Sequence, residues 1–512
     1  MVSPARFTQC HNGINQCRFF SCNASMQQSD QFRIHLSLVS HTNIGKTTLA
    51  RTLLMRDVGE VADRAHVTEI AEDYVLARDR TGCELVLWDT PGFGNSVALA
   101  KRLNGRSNPL GWFLSEVWDR MTNKAFWLNQ RAIRHVRDIS SVVLYLVNVS
   151  ELPQKAPYIS AEMLILSWIN KPVIVLLNQM GKPREQDEEQ KDLDAWQEAM
   201  KPYPFVKDIL PMDAFARCWV QEVALFDAIG KALPCELLPT FTALSNTWVK
   251  SRRAIYLSSV DAMARHLWKL LQAHEFVPTT GFKEHMISFA NQLGLLKTKS
   301  AALEDAQTVL SSMAADGLCA LTDKLLSING LTGNGVSKEI LRRMKADWNM
   351  ASHGVNTTGA AAVGAGVGVA GGAAAGAAAD LSSAGLSLGL GTLLGGVLGA
   401  IGGVGAATIY NSHHHKDGVD LSWSEEAIRD FMLETLLLYL AVAHFGRGRG
   451  DWTAGESPEF WKKAVEDSMK QQKTDYRKIR SMTPEAGVEQ LAILTDRYLQ
   501  TIFDRLYPAT RD

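Results

Sequence analysis

Short apolar runs alternate with helix-like spacing in the first part of the chain. Runs that predict strands cover residues 32–39, 84–88, 141–147 and 171–177. A helical pattern at 48–54 follows the first run, and amphipathic spacing recurs through 95–138. Continuous apolar strands separated by helices indicate a mostly parallel sheet with helices on both faces. We therefore predict an α/β domain over residues 32–235, with a helical insertion at 95–138. The polar run at 182–201 predicts a solvated helix.

Beyond about residue 230 the apolar positions follow helical spacing throughout. Residues 259–271 carry apolar side chains at three- and four-residue steps. The last such run begins at Thr483, which is followed by a first-turn proline and an early acid, as is typical of a helix start. We predict an all-α C-terminal part, made of helical regions at 236–355 and 411–512.

A Gly/Ala-rich segment separates these two helical regions. Residues 359–409 contain no Lys, Arg or Glu and a single acid, Asp380. Each half exceeds the roughly 20 residues that a helix needs to cross a bilayer, and small residues at four-residue steps let two helices approach closely. We predict a helical hairpin over 356–410 that inserts into a membrane or lies on it. Packing against the other helices and a linker role are the alternatives.

The most specific motif is the loop between the first predicted strand and the helix after it. Strand, tight loop, lysine, hydroxyl and helix are the parts of a phosphate-binding loop, although Ser40 stands where that pattern has glycine. Backbone N–H groups of such a loop, with the helix N-terminus, attract an anion. An ordinary strand-to-helix turn is the alternative. The residues predicted to bind nucleotide here are Thr42, Asn43, Ile44, Gly45, Lys46, Thr47 and Thr48.

Two downstream segments supply the groups that a phosphate-bound Mg²⁺ needs. Asp89 ends a predicted strand, where a carboxylate can hold the ion, and Gly92 can bring its backbone N–H close to the γ-phosphate. Thr68 follows Lys46 by roughly twenty residues, which suits a loop that closes onto the ion. We predict Mg²⁺ ligands at Thr47, Thr68 and Asp89, and catalytic roles for Lys46, Thr68 and Gly92.

The next strand ends in Asn178-Gln179-Met180-Gly181. At this point the chain resembles the translation-factor-related small GTPases, specifically the Era/TrmE-like branch, whose motifs occur in the same order. The resemblance covers roughly residues 33–230 and implies a G domain that binds GTP and GDP. The whole chain resembles an uncharacterised bacterial family in which such a domain carries a helical C-terminal region of unknown function.

The base-binding motifs depart from that family. Its guanine-reading aspartate is replaced by Gly181, and the lysine that packs on the base is replaced by Gln179. Because an unpaired buried N–H costs about 1–3 kcal/mol, we expect weaker discrimination against adenine. Asn178 can still support the phosphate loop. By the resemblance, Asp213 and Ala214 stand in the fifth motif, where backbone contacts the base.

Two further positions bear on turnover. Phe93 follows the Asp-x-Pro-Gly motif, where many GTPases have a glutamine that orients the attacking water. An apolar side chain cannot do this, so hydrolysis should be slow or depend on another group. Asn43 resembles the asparagine that helps to hold K⁺ in some TrmE-like proteins; a turn-supporting asparagine is the alternative.

Composition adds limits on location and partners. The net charge is −1 and the pI is about 6.9. The chain therefore has no overall positive charge of the kind that would indicate a nucleic-acid partner. The seven cysteines are scattered and odd in number, which favours a reducing cytosol. Residues 1–31 lack a secretory signal and are predicted to be a disordered extension. The expected location is cytoplasmic, peripheral to or integral in the cytoplasmic membrane.

These patterns lead to one function and one alternative. The first is a GTP-binding nucleotide switch with slow Mg²⁺-dependent hydrolysis, which contacts membrane lipid through 359–409 and acts on a protein partner that the sequence does not identify. The alternative is a non-hydrolysing, nucleotide-gated membrane scaffold or interaction protein with relaxed base specificity.

Overall fold

The structure is a computed structural model that describes residues 33–58, 71–116, 123–180, 186–213, 219–278, 301–331, 410–415, 418–445, 458–472 and 474–507. Several of the predicted features lie outside the described residues. These are the extension 1–31, the Gly/Ala-rich segment 359–409, Thr68, Gly181 and Ala214.

The first part of the chain forms a six-stranded sheet with the strand order β2-β3-β1-β4-β5-β6. β2 pairs antiparallel with β3, and every other pairing is parallel. The register sets Leu38 opposite Asp89 and Asn148 opposite Asn178, so functional residues at strand ends share one edge. The sheet confirms the predicted mostly parallel α/β fold. Its strands are β1 (Arg33–Ser40), β2 (Glu72–Arg78), β3 (Glu84–Asp89), β4 (Val142–Asn148), β5 (Val173–Asn178) and β6 (Val206–Pro211).

Each face of the sheet is covered by its own helical layer. Alternate residues of β4 and β5 enter two separate apolar clusters, which is why these two strands are apolar at every position before their final Asn. One layer contains α1 (Lys46–Leu54), α7 (Trp219–Ala232) and the first part of α8 (Leu238–Gln272). The other contains α2 (Ser96–Leu103), α3 (Pro109–Ser115), α4 (Lys124–Asp138), α5 (Pro157–Ile169) and α6 (Gln186–Met200).

In its described residues (95–116 and 123–138), the insertion therefore forms three helices, α2 to α4, in this second layer. Phe113 is fully buried there, and Trp112 packs against the same cluster. The predicted solvated helix differs from the structure on one face, because Trp196 and Met200 of α6 are buried against the sheet. The remaining residues of that helix are mostly Asp, Glu and Gln, and this composition hid the apolar face in the sequence.

Helix α8 is 35 residues long and belongs to both parts of the molecule. Near its start, Phe241, Leu244 and Trp248 pack in the apolar cluster of the α/β domain. Towards its end, Met263 and Leu267 are fully buried in the core of the C-terminal part. A single continuous helix thus connects the two cores.

The C-terminal part is helical, as predicted, with one addition. A three-stranded antiparallel sheet of order β7-β9-β8 joins residues that lie far apart in the chain. Among the described helices, none is long and apolar enough to cross a bilayer. The elements are β7 (His274–Pro278), α9 (Ala301–Ile328), β8 (Tyr410–His415), β9 (Gly418–Trp423), α10 (Glu425–Ala443), α11 (Glu459–Lys470), α12 (Tyr476–Arg480) and α13 (Pro484–Leu506).

Candidate nucleotide-binding site

The phosphate-binding loop connects β1, the central strand, to the N-terminus of α1. Ile44 is buried in the apolar cluster below the loop, so only its backbone is left to face a ligand. Asn43 and Gly45 adopt positive φ angles of 63° and 97°. The Asn178 side chain donates from Nδ2 to the Ile44 carbonyl at 2.6 Å, which holds the loop against the end of β5.

Lys46 is the first residue of α1 and is buried inside the loop. Its Nζ donates to Ser40 Oγ at 3.1 Å, so the serine at the glycine position of the motif is a hydrogen-bond partner of the lysine. Burial lowers the pKa of Lys46, and the nearby Asp89 and Glu162 carboxylates oppose this shift. A Cβ on Gly92 would lie 3.1 Å from the Lys46 Nζ, so glycine is needed for this close approach.

The predicted metal ligands Thr47 and Asp89 are in contact. Thr47 Oγ1 donates to the Asp89 carboxylate, which is almost fully buried. The adjacent Thr90 hydroxyl donates to the Leu38 carbonyl at 2.6 Å, which anchors the end of β3 on β1. A hydroxyl beside a carboxylate is an oxygen donor set of the kind that Mg²⁺ accepts together with phosphate oxygens, so these residues fit the ion.

Within the described ranges, no group of three or more His, Cys, Asp or Glu side chains could hold a metal ion. Mg²⁺ at Thr47 and Asp89 would therefore depend on the phosphates of a nucleotide for part of its shell. Asn43 is a turn residue, and its carbonyl accepts a hydrogen bond from Gln179 Nε2 at 3.3 Å. A potassium ion beside it stays a prediction.

The segment after Asp89 is fixed to the protein core. The Phe93 side chain is fully buried in the apolar cluster of the second layer, and its N–H donates to the Ser40 carbonyl at 2.9 Å. Phe93 therefore anchors the segment after Asp89 to the end of β1. Asn129 of α4 bonds Gly94 twice, accepting from its N–H at 3.0 Å and donating to its carbonyl at 2.6 Å. The helical insertion thus contacts the loop that carries Gly92.

The other end of the site is formed by the loops after β5 and β6. Gln179 has a φ of 56° and reaches back to the phosphate loop. Asp213 follows β6, is 3% exposed, and accepts from the Met180 N–H at 2.9 Å through Oδ2.

Thr48 is buried in the first turn of α1, where its carbonyl accepts from the Thr52 hydroxyl at 2.9 Å.

Sequence reasoning missed a buried carboxylate next to the phosphate loop. Glu162 of α5 is fully buried, with Oε1 2.7 Å from His41 Nδ1 and Oε2 accepting from the Tyr145 hydroxyl at 2.7 Å. The His41 ring also stacks on Tyr158, with centroids 4.3 Å apart. Burial, together with the Glu162 charge, raises the pKa of Tyr145. A single acid within an apolar helix was the available signal, because such an acid needs buried partners.

These observations define a P-loop nucleotide-binding domain with the loop on the central strand of a mostly parallel sheet. Residues 35–179 match the family model described as a 50S ribosome-binding GTPase. Residues 345–503 match a model described as a domain of unknown function, DUF3482. The chain therefore combines a P-loop GTPase-family domain with a C-terminal domain to which no function is assigned.

Similar solved structures include two of Era and one of a FeoB G domain. Era of Aquifex aeolicus bound to GDP and AlF₄⁻ is 20% identical, with a TM-score of 0.29, over 40% of this chain and 57% of that one. Era with MgGDPNP and a segment of 16S ribosomal RNA has the same identity and coverage and a TM-score of 0.30. The FeoB G domain of Methanococcus jannaschii is 16% identical, with a TM-score of 0.20, over 35% of this chain and 86% of that one. The chain thus spans a little over half of each Era structure. No curated protein matches the sequence.

Proposed function

We propose that the protein is a GTP-binding switch that hydrolyses GTP slowly with Mg²⁺. The observation that carries this proposal is the convergence of Lys46, Thr47 and Asp89 at the loop of a GTPase-family domain. Lys46 supplies positive charge for the β- and γ-phosphates, and backbone N–H groups of the loop supply the remaining donors. Asn178 keeps the loop in the conformation that points these groups inward.

Thr47 and Asp89, with Thr68, are the residues we propose to hold Mg²⁺. When bound, the ion would neutralise charge that develops on the phosphate oxygens. The protein side contributes a buried carboxylate and a hydroxyl that already contact each other, so little rearrangement is needed to present both oxygens.

Slow turnover follows from the position of Phe93. Its ring is fully buried, so the chain does not present a glutamine-like group to orient water at this position. A bound triphosphate can then persist, which is what a switch requires. The double hydrogen bond between Gly94 and Asn129 supports a path from the γ-phosphate contact at Gly92 to the helical insertion. We propose that this insertion responds to the nucleotide state and presents it to a protein partner.

Replacing Lys46 with Ala should weaken GTP binding about 10- to 100-fold. In the variant, the phosphates would lose the charge-assisted hydrogen bonds that the lysine ammonium donates, each of which contributes about 1.5–3 kcal/mol to binding. Calorimetric titration of the full chain with Mg²⁺ and GTP, GDP or ATP measures this directly. Lys201→Ala is the matched control, because Lys201 is an exposed lysine of the same domain. Equal dissociation constants for the two variants would contradict the proposed site.

Phosphate release from bound GTP distinguishes the proposed switch from the alternative, a non-hydrolysing scaffold. A slow switch releases phosphate from wild type in a single-turnover assay and releases less from Lys46→Ala. A non-hydrolysing scaffold with an intact loop gives tight GTP binding and no phosphate release from either protein. GTP binding and phosphate release, measured on the wild type and on Lys46→Ala, thus distinguish the two functions.

We further propose that the Gly/Ala-rich segment 356–410 associates the protein with a cytoplasmic membrane surface. The support is its composition, because the second half (381–409) is uncharged, exceeds the roughly 20 residues needed to span a bilayer, and contains the Leu-rich stretch 386–401. Leu393→Lys with Leu394→Lys should abolish flotation with phosphatidylcholine and phosphatidylglycerol vesicles, since each lysine costs about 2.5–3.5 kcal/mol in the bilayer centre. The control adds the same charge at two exposed positions, Leu257→Lys with Ile493→Lys. Flotation that is equal for both pairs would contradict membrane association through this segment.

A further inference from the structure

A guanine-binding site needs an acceptor that this chain lacks at the expected position. Guanine differs from adenine on its pairing edge by an N1–H and a 2-amino group, both of which are donors. A carboxylate meets both donors, whereas the glycine at position 181 offers no side chain. Without another acceptor, the two guanine donors would be desolvated and unpaired, at a cost of about 1–3 kcal/mol each. Guanine selection therefore requires acceptors from elsewhere in the fold.

Asp213 lies at this corner of the site. It follows β6, which pairs with β5, and the bond from Met212 N–H to the Leu177 carbonyl at 2.9 Å continues that pairing to the strand ends. Asp213 then accepts from the N–H of Met180, the residue that precedes Gly181. The carboxylate is thus hydrogen-bonded within one residue of the place where the family's acid would be attached.

The same corner is joined to the phosphate loop. Asn178 bonds Ile44, and Gln179 bonds Asn43, immediately before Met180 in the chain. A nucleotide that has its phosphates on the loop would extend its base towards these residues. Asp213 is 3% exposed, so the hydrogen bonds that its carboxylate accepts are made in a dry environment, where they are stronger than in water.

We propose that the Asp213 carboxylate is the guanine-reading group of this protein, in place of the acid that is missing at position 181. This inference rests on the proposed GTP-binding function and specifies its base selectivity. An ionised carboxylate has about four acceptor sites, so Asp213 can keep its bond to Met180 and accept the guanine N1–H and 2-amino donors. The acid has moved from the loop after β5 to the loop after β6, and guanine selectivity is retained.

The test is a change of base preference. Asp213→Asn replaces one acceptor oxygen by an amide donor, which faces the 2-amino group of guanine unfavourably. Xanthine has a carbonyl at that position, so the same amide should pair with it. We expect wild type to bind Mg²⁺-GTP at least 10-fold more tightly than ATP or XTP. In Asp213→Asn, GTP binding should weaken about 10- to 100-fold and XTP binding should strengthen until the preference is reversed.

Asp208→Asn is the matched control, since Asp208 is an aspartate of β6 that caps the neighbouring Ile209 N–H at 2.8 Å. This variant should keep the wild-type preference. A gain of XTP binding also shows that Asp213→Asn is folded. If that variant binds no nucleotide, Asp213→Ser combined with Gly181→Asp decides, because it returns the carboxylate to the family's position: recovered GTP binding supports the proposal and its absence overturns it.

The outcomes separate this inference from the proposed function. Wild type that binds neither GTP nor GDP would remove both. Wild type that binds GTP through Lys46 while Asp213→Asn keeps its GTP affinity and gains no XTP would overturn the role of Asp213 alone. Equal wild-type affinity for GTP and ATP would also overturn it, and would favour the relaxed base specificity expected from Gly181.

Discussion

Replacing Glu222 with Leu is expected to destabilise the protein by about 3–5 kcal/mol, because it leaves a buried guanidinium without its counter-charge. Glu222 of α7 accepts from Arg252 Nε at 2.9 Å, and both side chains are almost fully buried. Arg252 also donates to the Leu53 carbonyl at the end of α1 and lies over the Trp248 ring, 4.7 Å from its centroid. Burial lowers the pKa of Arg252 to about 10, so the group is charged at neutral pH.

Urea denaturation at neutral pH measures this effect. Asp261→Leu is the control, because Asp261 pairs with Arg265 on an exposed face of α8, the helix that also carries Arg252. Such exposed pairs contribute about 0–1 kcal/mol to stability. The double change Glu222→Leu with Arg252→Met should recover most of the lost stability, since it removes the uncompensated charge as well. A Glu222→Leu protein as stable as Asp261→Leu would show that the ion pair is not required.

The position of this ion pair also bears on the proposed switch. Besides pairing with Glu222 of α7, Arg252 attaches α8, which continues into the C-terminal core, to the end of the helix that begins at Lys46. The nucleotide loop and the C-terminal part are therefore joined through one short helix and one buried guanidinium. Any movement of α1 on nucleotide binding would act directly on α8.

Gly45→Ala is expected to weaken GTP binding on the order of 100-fold. Gly45 has a φ of 97°, a conformation that costs an L-residue roughly 1–2 kcal/mol. The added Cβ would also lie 2.8 Å from Asn178 Nδ2, the atom that donates to the Ile44 carbonyl. Loss of that bond adds about 1 kcal/mol, and the sum corresponds to about two factors of ten in affinity. Calorimetric titration with Mg²⁺-GTP is the measurement.

Gly82→Ala is the matched control for this change. Gly82 has a similar φ of 89°, but a Cβ there would meet no atom within 4 Å. It should show the conformational penalty as a loss of stability of about 1 kcal/mol, with unchanged GTP affinity. If the two variants bind GTP equally, the contact between Asn178 and the loop is not needed for binding.

Much of the fold follows from local patterns in the sequence. The apolar strands, the phosphate loop and the helix starts are encoded within a few residues of each other. The helix α13 is an example, because Leu491, Leu494, Tyr498 and Ile502 recur at three- and four-residue steps and are buried. Backbone geometry also follows from residue type here, since Gly45 supplies the positive φ that the loop requires.

Base selection shows where sequence reasoning stopped. The replacement of the family's acid by Gly181 was evident, and it indicated relaxed specificity. Asp213 was assigned only a backbone role, because nothing in the linear order sets it beside Met180. The parallel pairing of β5 and β6 brings the two loops together, and this pairing gives the Asp213 side chain its candidate function.

The sequence by itself determined the class of domain, the phosphate loop and the order of the helical regions, since these depend on periodicity and short motifs. Only the tertiary structure decided which buried charges meet: Glu162 with His41, and Glu222 with Arg252. The tertiary structure also showed that β7, β9 and β8 pair in a small sheet, although β7 and β9 are separated by more than a hundred residues. The physical reason is that pairing between distant residues depends on how whole elements pack, and a buried charge has no sequence pattern that identifies its partner.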